Sequence, residues 1–315
     1  MRAFLAAMLA VFMLIPCAGF GEEITEEITE ETPEEIRLLS NPLPIDFTGG
    51  FKPLEECYQG DTVYEDPTIR VEITYKDVRK YVRGYKGDAG AWIVDIHVGH
   101  ASQLRCAAAE SFSVDTTQNA EEIAERVNAV AAFNGDYIAR QKDGIVFRQG
   151  TMFKDKLKGK RDILLVDEDG DFHPVHLAER GSFTGTVDGK KVINAFCFGP
   201  ILVENGQALQ KMPSFAHLDP DEYYARIAIC QAGPLHYKMI LTTFKQGYAT
   251  LGLPLKAFAQ LCMDEGAITA YNLDGGMSTT LYFHGKRVNA EDRINNRDVP
   301  DIVYFASAWD GGKTE

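Results

Sequence analysis

TAYNLDGGMSTTLYF, residues 269–283, sets two apolar, strand-like runs on either side of an aspartate and two glycines. A helical pattern precedes it in PLKAFAQLCMDEGA (254–267), with Pro254 near the start and Gly266 past the end. A short buried strand then runs from Ile268 to Leu273, and Asp274 is the first residue beyond it. Gly275 and Gly276 can take positive φ and turn the chain sharply. With no side chain in the way, their amides can face an anion. Ser278, Thr279 and Thr280 add hydroxyls, and Asn272 adds an amide just upstream. A carboxylate, bare amides and hydroxyls at a strand end make a polar site. The same residues also suit an ordinary tight turn in which Asp274 bonds local amides.

Working outward, β-branched and aromatic residues alternate partially in VYEDPTIRVEITYKDV and AWIVDIHVGH, as strands do. NAEEIAERVNAVAAF (119–133) places Ile123, Val127 and Val130 at helical spacing, so a helix feeds a short strand there. DILLVDEDGDF reads as two strands around Asp169-Gly170, and AFCFGPILVENGQAL as a hairpin turning at Asn205-Gly206. ARIAICQAG, YKMILTTF and STTLYFHGKRV add further strands. Composition does not break again after residue 60. The expected fold is one α+β domain, with mostly antiparallel or mixed sheet and a few packed helices.

Two other regions carry candidate chemistry. The strand ending in AAFNGDYI exits at Asn134, turns at Gly135 and presents Asp136 and Tyr137. Asn134 suits a sugar hydroxyl or a phosphate, and Asp136 suits a base or a metal ligand. Arg226 begins the strand in YYARIAICQAG, and Arg297 precedes the last strand in RDVPDIVYF. Either can grip phosphate or carboxylate bidentately, and either can serve as a plain salt bridge. Asp136 with Asp274 is a thin donor set for a hard cation such as Ca²⁺, so metal use stays open. The seven histidines are scattered, and Pro174 between His173 and His176 argues against a helical metal pair. The chain has no G-x-S-x-G elbow, Walker loop or dinucleotide fingerprint.

The 315 residues carry a formal net charge of −14, which disfavours general nucleic-acid binding. Much of that charge is local. Residues 22–35 hold eight glutamates and no lysine or arginine, and they read as a solvated tether. Arg2, the apolar run from Ala3 to Ile15 and small residues at Ala18, Gly19 and Gly21 read as a secretory signal over residues 1–21. An uncleaved anchor is the alternative. Cys17 stands where a lipoprotein cysteine would, although Pro16 before it is not the small residue expected. The expected organisation is a signal (1–21), an acidic, proline-containing tether and arm (22–60), and a body (61–310). The location is secreted or extracytoplasmic, with cell-surface association and membrane contact only through the signal or anchor. The other cysteines, Cys57, Cys106, Cys197, Cys230 and Cys262, lack C-x-x-C spacing. Most sit among apolar neighbours and read as buried free thiols.

Taken in order, AAFNGDYI, GIVFRQG, FCFGPILVENG, ARIAICQ, AYNLDGGMSTTLYFHGKRVN and RDVPDIVYF resemble the sequence blocks of the phosphodiester glycosidase family. The likeness spans roughly residues 90–306. Met277 stands where the family has a third glycine, and Cys230 stands where it has a glycine after Arg-x-Ala-Ile. The resemblance implies an exported hydrolase that splits a sugar-1-phosphodiester, or a phosphate-containing glycopolymer, at the glycosidic C–O bond. It implies Asp274 as the carboxylate, Asp136 as second candidate and Arg226 as the phosphate clamp. Asn134, Gly135, Asn272, Gly275, Gly276, Ser278, Thr279 and Arg297 would orient the substrate. A phosphodiesterase breaking P–O and a non-catalytic carbohydrate- or wall-binding module are the competing readings, and Met277 favours the latter.

Overall fold

The computed structural model describes residues 38, 42–46, 49–82, 84, 89–138, 143–213, 218–242, 252–289 and 297–312. The described residues belong to the unit Arg37–Glu315. The signal, Cys17, the acidic tether and His217 lie outside them.

Three antiparallel sheets build the body. The largest orders its strands Tyr58–Gln59, Val63–Asp66, Ile69–Asp77, Gly90–Val98, His236–Thr242, Ile227–Gly233, Thr269–Asn272, Ile201–Glu204 and Gln207–Ala208. The second runs Lys286–Arg287, Leu281–Phe283, Ala129–Asn134, Asp301–Ala306 and Leu104–Ala108. The third runs Phe172–Ala178, Arg161–Asp167, Lys190–Phe196, Ile145–Arg148 and Thr151–Asp155, with Thr186–Val187 paired to Lys190–Phe196.

Period-two alternation explains how one strand serves two cores. On Gly90–Val98, Val94, Ile96 and Val98 point into a core that all three sheets share, with Phe133, Phe305, Tyr237 and Phe196. Ala91 and Ile93 point the other way, under the helix α2, Leu255–Asp264, against its Phe258, Leu261 and Cys262. The helix α1, Ala120–Arg126, starts where the Asn119 carboxamide accepts from the Glu121 and Glu122 amides at 2.9 and 3.4 Å. Its Ile123 and Ala124 cover the second sheet.

Two expectations change. Among the described residues α1 and α2 are the only α-helices and every strand pair is antiparallel, so the fold is mainly β rather than α+β. Helical periodicity was present at both places expected, but those helices are short covers on extensive sheet. The described part of residues 42–60 also packs onto the body rather than linking to it. Leu43 is buried, Phe51 bridges Ser307, and Tyr58 stacks edge-on against Tyr64 and Phe283. The proline spacing that suggested a loose arm accompanies a chain laid along the surface. All five cysteines of the body are buried and free. Among the described residues no helix is long and apolar enough to cross a membrane.

Candidate active site

Sheet register explains why Arg226 and Asp274, far apart in sequence, meet. Ala228 pairs with Asn272 on adjacent antiparallel strands, and the Leu273 amide donates to the Ile227 carbonyl at 2.9 Å. One further step of that register sets Arg226 opposite Asp274. There the ladder slips, because the Gly276 amide donates to the Ala225 carbonyl at 2.8 Å. Glycine is needed at this point: a Cβ on Gly275 would lie 2.4 Å from the Ala225 oxygen. Gly276 follows at φ +60°. The expectation that both glycine amides face an anion therefore fails for Gly276, whose N–H belongs to the sheet edge.

Arg226 and Asp274 line one open cleft of about 530 Å³ with Gly275, Gly276, Met277 and Arg297. Tyr137, Phe198, Tyr224, Asp219 and Glu222 complete the polar and aromatic lining. The Arg226 guanidinium is nearly buried, and backbone carbonyls hold it. Its Nε donates to Leu253 O at 3.0 Å, and its Nη2 donates to Glu222 O at 2.8 Å and Asp219 O at 3.2 Å. Among the described residues no carboxylate lies in ion-pair range of it. Burial lowers its pKa to about 10, so it remains a cation at neutral pH. A desolvated cation held by carbonyl dipoles, with the Glu222 and Asp219 carboxylates nearby but no direct ion pair among the described residues, is a ready anion receptor.

Asp274 has the converse problem. Burial pushes its carboxyl up to about 7. The Ser278 hydroxyl and the Arg297 charge hold it down in part, and Asp301 and Asp136 push it further up. Arg297 reaches the same cleft, 5.2 Å from the Tyr137 ring centroid, and its Nη2 donates to the Tyr137 hydroxyl at 3.3 Å.

The other expected residues do not line the cleft. Asn134 is a strut: its Nδ2 donates to Asp274 O at 2.5 Å, and its Oδ1 accepts from the Thr280 amide at 3.0 Å. Gly135 admits the Asp301 carboxylate, which would lie 2.5 Å from a Cβ at that position. Asn272 donates from Nδ2 to Gly199 O at 2.8 Å. Ser278 and Thr279 are buried behind the aspartate. Asp136, expected as a second reacting carboxylate, is fully buried. Its Oδ2 accepts from Arg148 Nη2 at 3.0 Å and from the Cys197 amide at 2.8 Å. Arg148 reaches Asp301 at 3.4 Å as well. This ion network belongs to the interior because the strand exits into the core rather than into solvent.

The sequence of the phosphodiester glycosidase family matches residues 127–306, more than half of the chain. The chain belongs to the phosphodiester glycosidase family. No curated protein matches it significantly. Among solved structures it is similar to the catalytic domain of zebrafish N-acetylglucosamine-1-phosphodiester α-N-acetylglucosaminidase, auto-inhibited by its pro-peptide. That match has a TM-score of 0.62 and 14% identity, covering 82% of this chain and 87% of the other. It is also similar to a hypothetical protein from Synechocystis, with a TM-score of 0.51 and 14% identity, covering 78% of this chain and 64% of that one. At these identities the likeness concerns the fold.

Family sequence blocks pointed to Asp274, Arg226 and Arg297, but not to Asp219, Glu222, Tyr224 and Phe198. The signal for Asp219, Glu222 and Tyr224 was the acidic, proline-containing run LDPDEYYAR (218–226), which wraps the guanidinium with its own carbonyls.

Proposed function

We propose that the chain hydrolyses a sugar-1-phosphodiester at the glycosidic C–O bond, releasing free sugar and a phosphate monoester. The observation that carries this reading is the Arg226 guanidinium, in no direct ion pair with a described carboxylate and lining one cleft with Asp274. In this reading Arg226 and Arg297 bind the phosphate. Asp274, as its carboxylate, takes a proton from water while the water oxygen bonds to the anomeric carbon. The C–O bond breaks with its electron pair going to the phosphate oxygen. A phosphate oxygen leaves far more readily than an alkoxide, so holding its charge matters more than protonating it. A base with a pKa near 7 suits water activation better than an ordinary aspartate. The oxocarbenium-like carbon also gains from the nearby negative charge. Tyr137 and Tyr224 offer faces for the sugar or aglycone, and the Asp219 and Glu222 carboxylates offer acceptors for sugar hydroxyls. Asn134 and Asp136 act as positioning residues.

The N-terminal pattern extends the proposal to an exported, secreted or surface-associated hydrolase acting on wall or extracellular glycopolymers. Met277 supports a narrower reading, a carbohydrate-binding module, because its half-exposed side chain stands in the cleft. A panel of sugar-1-phosphodiesters assayed with wild type, Asp274→Asn and Arg226→Ala distinguishes the two. We expect sugar release by wild type and a loss of at least about a hundredfold in each folded variant. Binding of the panel without release by wild type supports the module instead.

A further inference from the structure

We propose a second site, for a borderline-soft divalent metal such as Zn²⁺, formed by Asp95, His97 and His236 on the outer face of the largest sheet. On that face Ala91 and Ile93 of strand Gly90–Val98 lie under α2, as does Ile240 of strand His236–Thr242. Asp95 and His97 continue the same face two and four residues beyond Ile93, past the helix cover. Lys238 and His236 do the same on the neighbouring strand. Register sets His97 directly across from His236 and Asp95 across from Lys238.

The side chains converge accordingly. The imidazoles stack with centroids 3.9 Å apart and planes 17° apart. Both Nε2 atoms face the same carboxylate oxygen, Asp95 Oδ1, at 2.8 Å from His236 and 3.2 Å from His97. One ligand atom from each of the three residues falls within 4.8 Å of the others. Tetrahedral zinc, with bonds of about 2.0–2.2 Å, needs donor separations of roughly 3.2–3.6 Å. The trio sits just inside that spacing, so small rotations suffice. Lys238 Nζ bonds the other oxygen, Asp95 Oδ2, at 2.8 Å, which fixes the carboxylate and leaves Oδ1 toward the rings. Each Nε2 faces the Asp95 carboxylate as an N–H donor, so metal binding displaces that proton, by a shift to Nδ1 or by release to solvent. All three side chains are partly exposed, which leaves room for water as a fourth ligand.

Two imidazoles and one carboxylate favour Zn²⁺, Ni²⁺ or Cu²⁺ over Ca²⁺ and Mg²⁺, which take oxygen donors. The buried thiols offer no competing accessible ligand. The site is distinct from the cleft. Arg226 meets the other end of the strand at Thr242, six residues and about 20 Å along it from His236.

The test uses the full chain without a polyhistidine tag, stripped with a chelator and titrated with Zn²⁺ against a chelating dye. We expect one equivalent bound, and a weakening of at least about tenfold in His97→Gln and in His236→Gln. Lys238→Met, which removes a like charge beside the ion, is expected to tighten binding. Bound Cu²⁺ should show two-nitrogen coupling in its electron paramagnetic resonance spectrum. Zn²⁺ binding by wild type no tighter than by the His97→Gln/His236→Gln double variant overturns the proposal.

Discussion

Asp274 is a carboxyl whose burial raises its pKa to about 7, and this has consequences for both stability and rate. Its folded value lies above its unfolded value. Its contribution to stability is therefore fully present below about pH 4 and is lost as pH rises toward about 7. Ionising it in the folded state costs on the order of 4 kcal/mol. Asp274→Asn is accordingly expected to be more stable than wild type at about pH 8, with the gap closing toward about pH 4, as thermal melts across that range will show. If the ionised form is the base, kcat/KM rises with pH and levels off above about 7. Arg297→Gln removes a charge that holds the pKa down, so its acid limb should move to higher pH. An unmoved limb would assign the titration to another group. The raised pKa was not legible in the sequence: Asp-Gly-Gly announces a turn, but the burial of the carboxyl and the nearby charges of Asp136 and Asp301 come from elements distant in the chain.

Strand pairing does most of the positioning. Arg226 and Asp274 face one cleft because their strands are neighbours in register, and Asn134 ties the loop after Asn272 to the end of strand Ala129–Asn134. Behind them, Arg148 is buried between Asp136 and Asp301 and lies over the Phe196 ring, 4.5 Å from its centroid. Burial opposes its charge, and Asp136, Cys106 and Asp301 together outweigh that effect. Arg148→Met leaves two buried carboxylates without their cation and should destabilise the protein by about 3–5 kcal/mol, measured by chemical unfolding. A change under about 1 kcal/mol would mean that the network does not hold the carboxylates charged. Element types were readable from local pattern: the helix before Ala129, the Asn205-Gly206 hairpin and the Pro254-to-Gly266 helix all appear where periodicity and turn chemistry put them. The burial of Asp136 was not legible because an Asn-Gly-Asp turn looks solvent-facing until its cross-sheet partner, Arg148, is known.

At the scale of the molecule, three sheets share one core, and local pattern says little about such packing. Helical periodicity over-weighted the two covering helices and suggested α+β, whereas the layers are sheet. The same packing makes the segment before Asp61 part of the body: Gly50 lies against Ala306 and Ser307, and the Arg105 guanidinium donates to Pro44 O at 3.0 Å. Removing residues 1–60 should lower the melting temperature by at least about 5 °C relative to a chain that begins at residue 37. Equal melting temperatures for the two truncations would return residues 37–60 to the role of a linker. The central claim, that the Asp274–Arg226 cleft breaks the bond between sugar and phosphate oxygen, is tested most directly by turnover of a sugar-1-phosphodiester in isotopically labelled water, with mass analysis of both products. Label in the released sugar is the predicted result, and label in the phosphate monoester contradicts it.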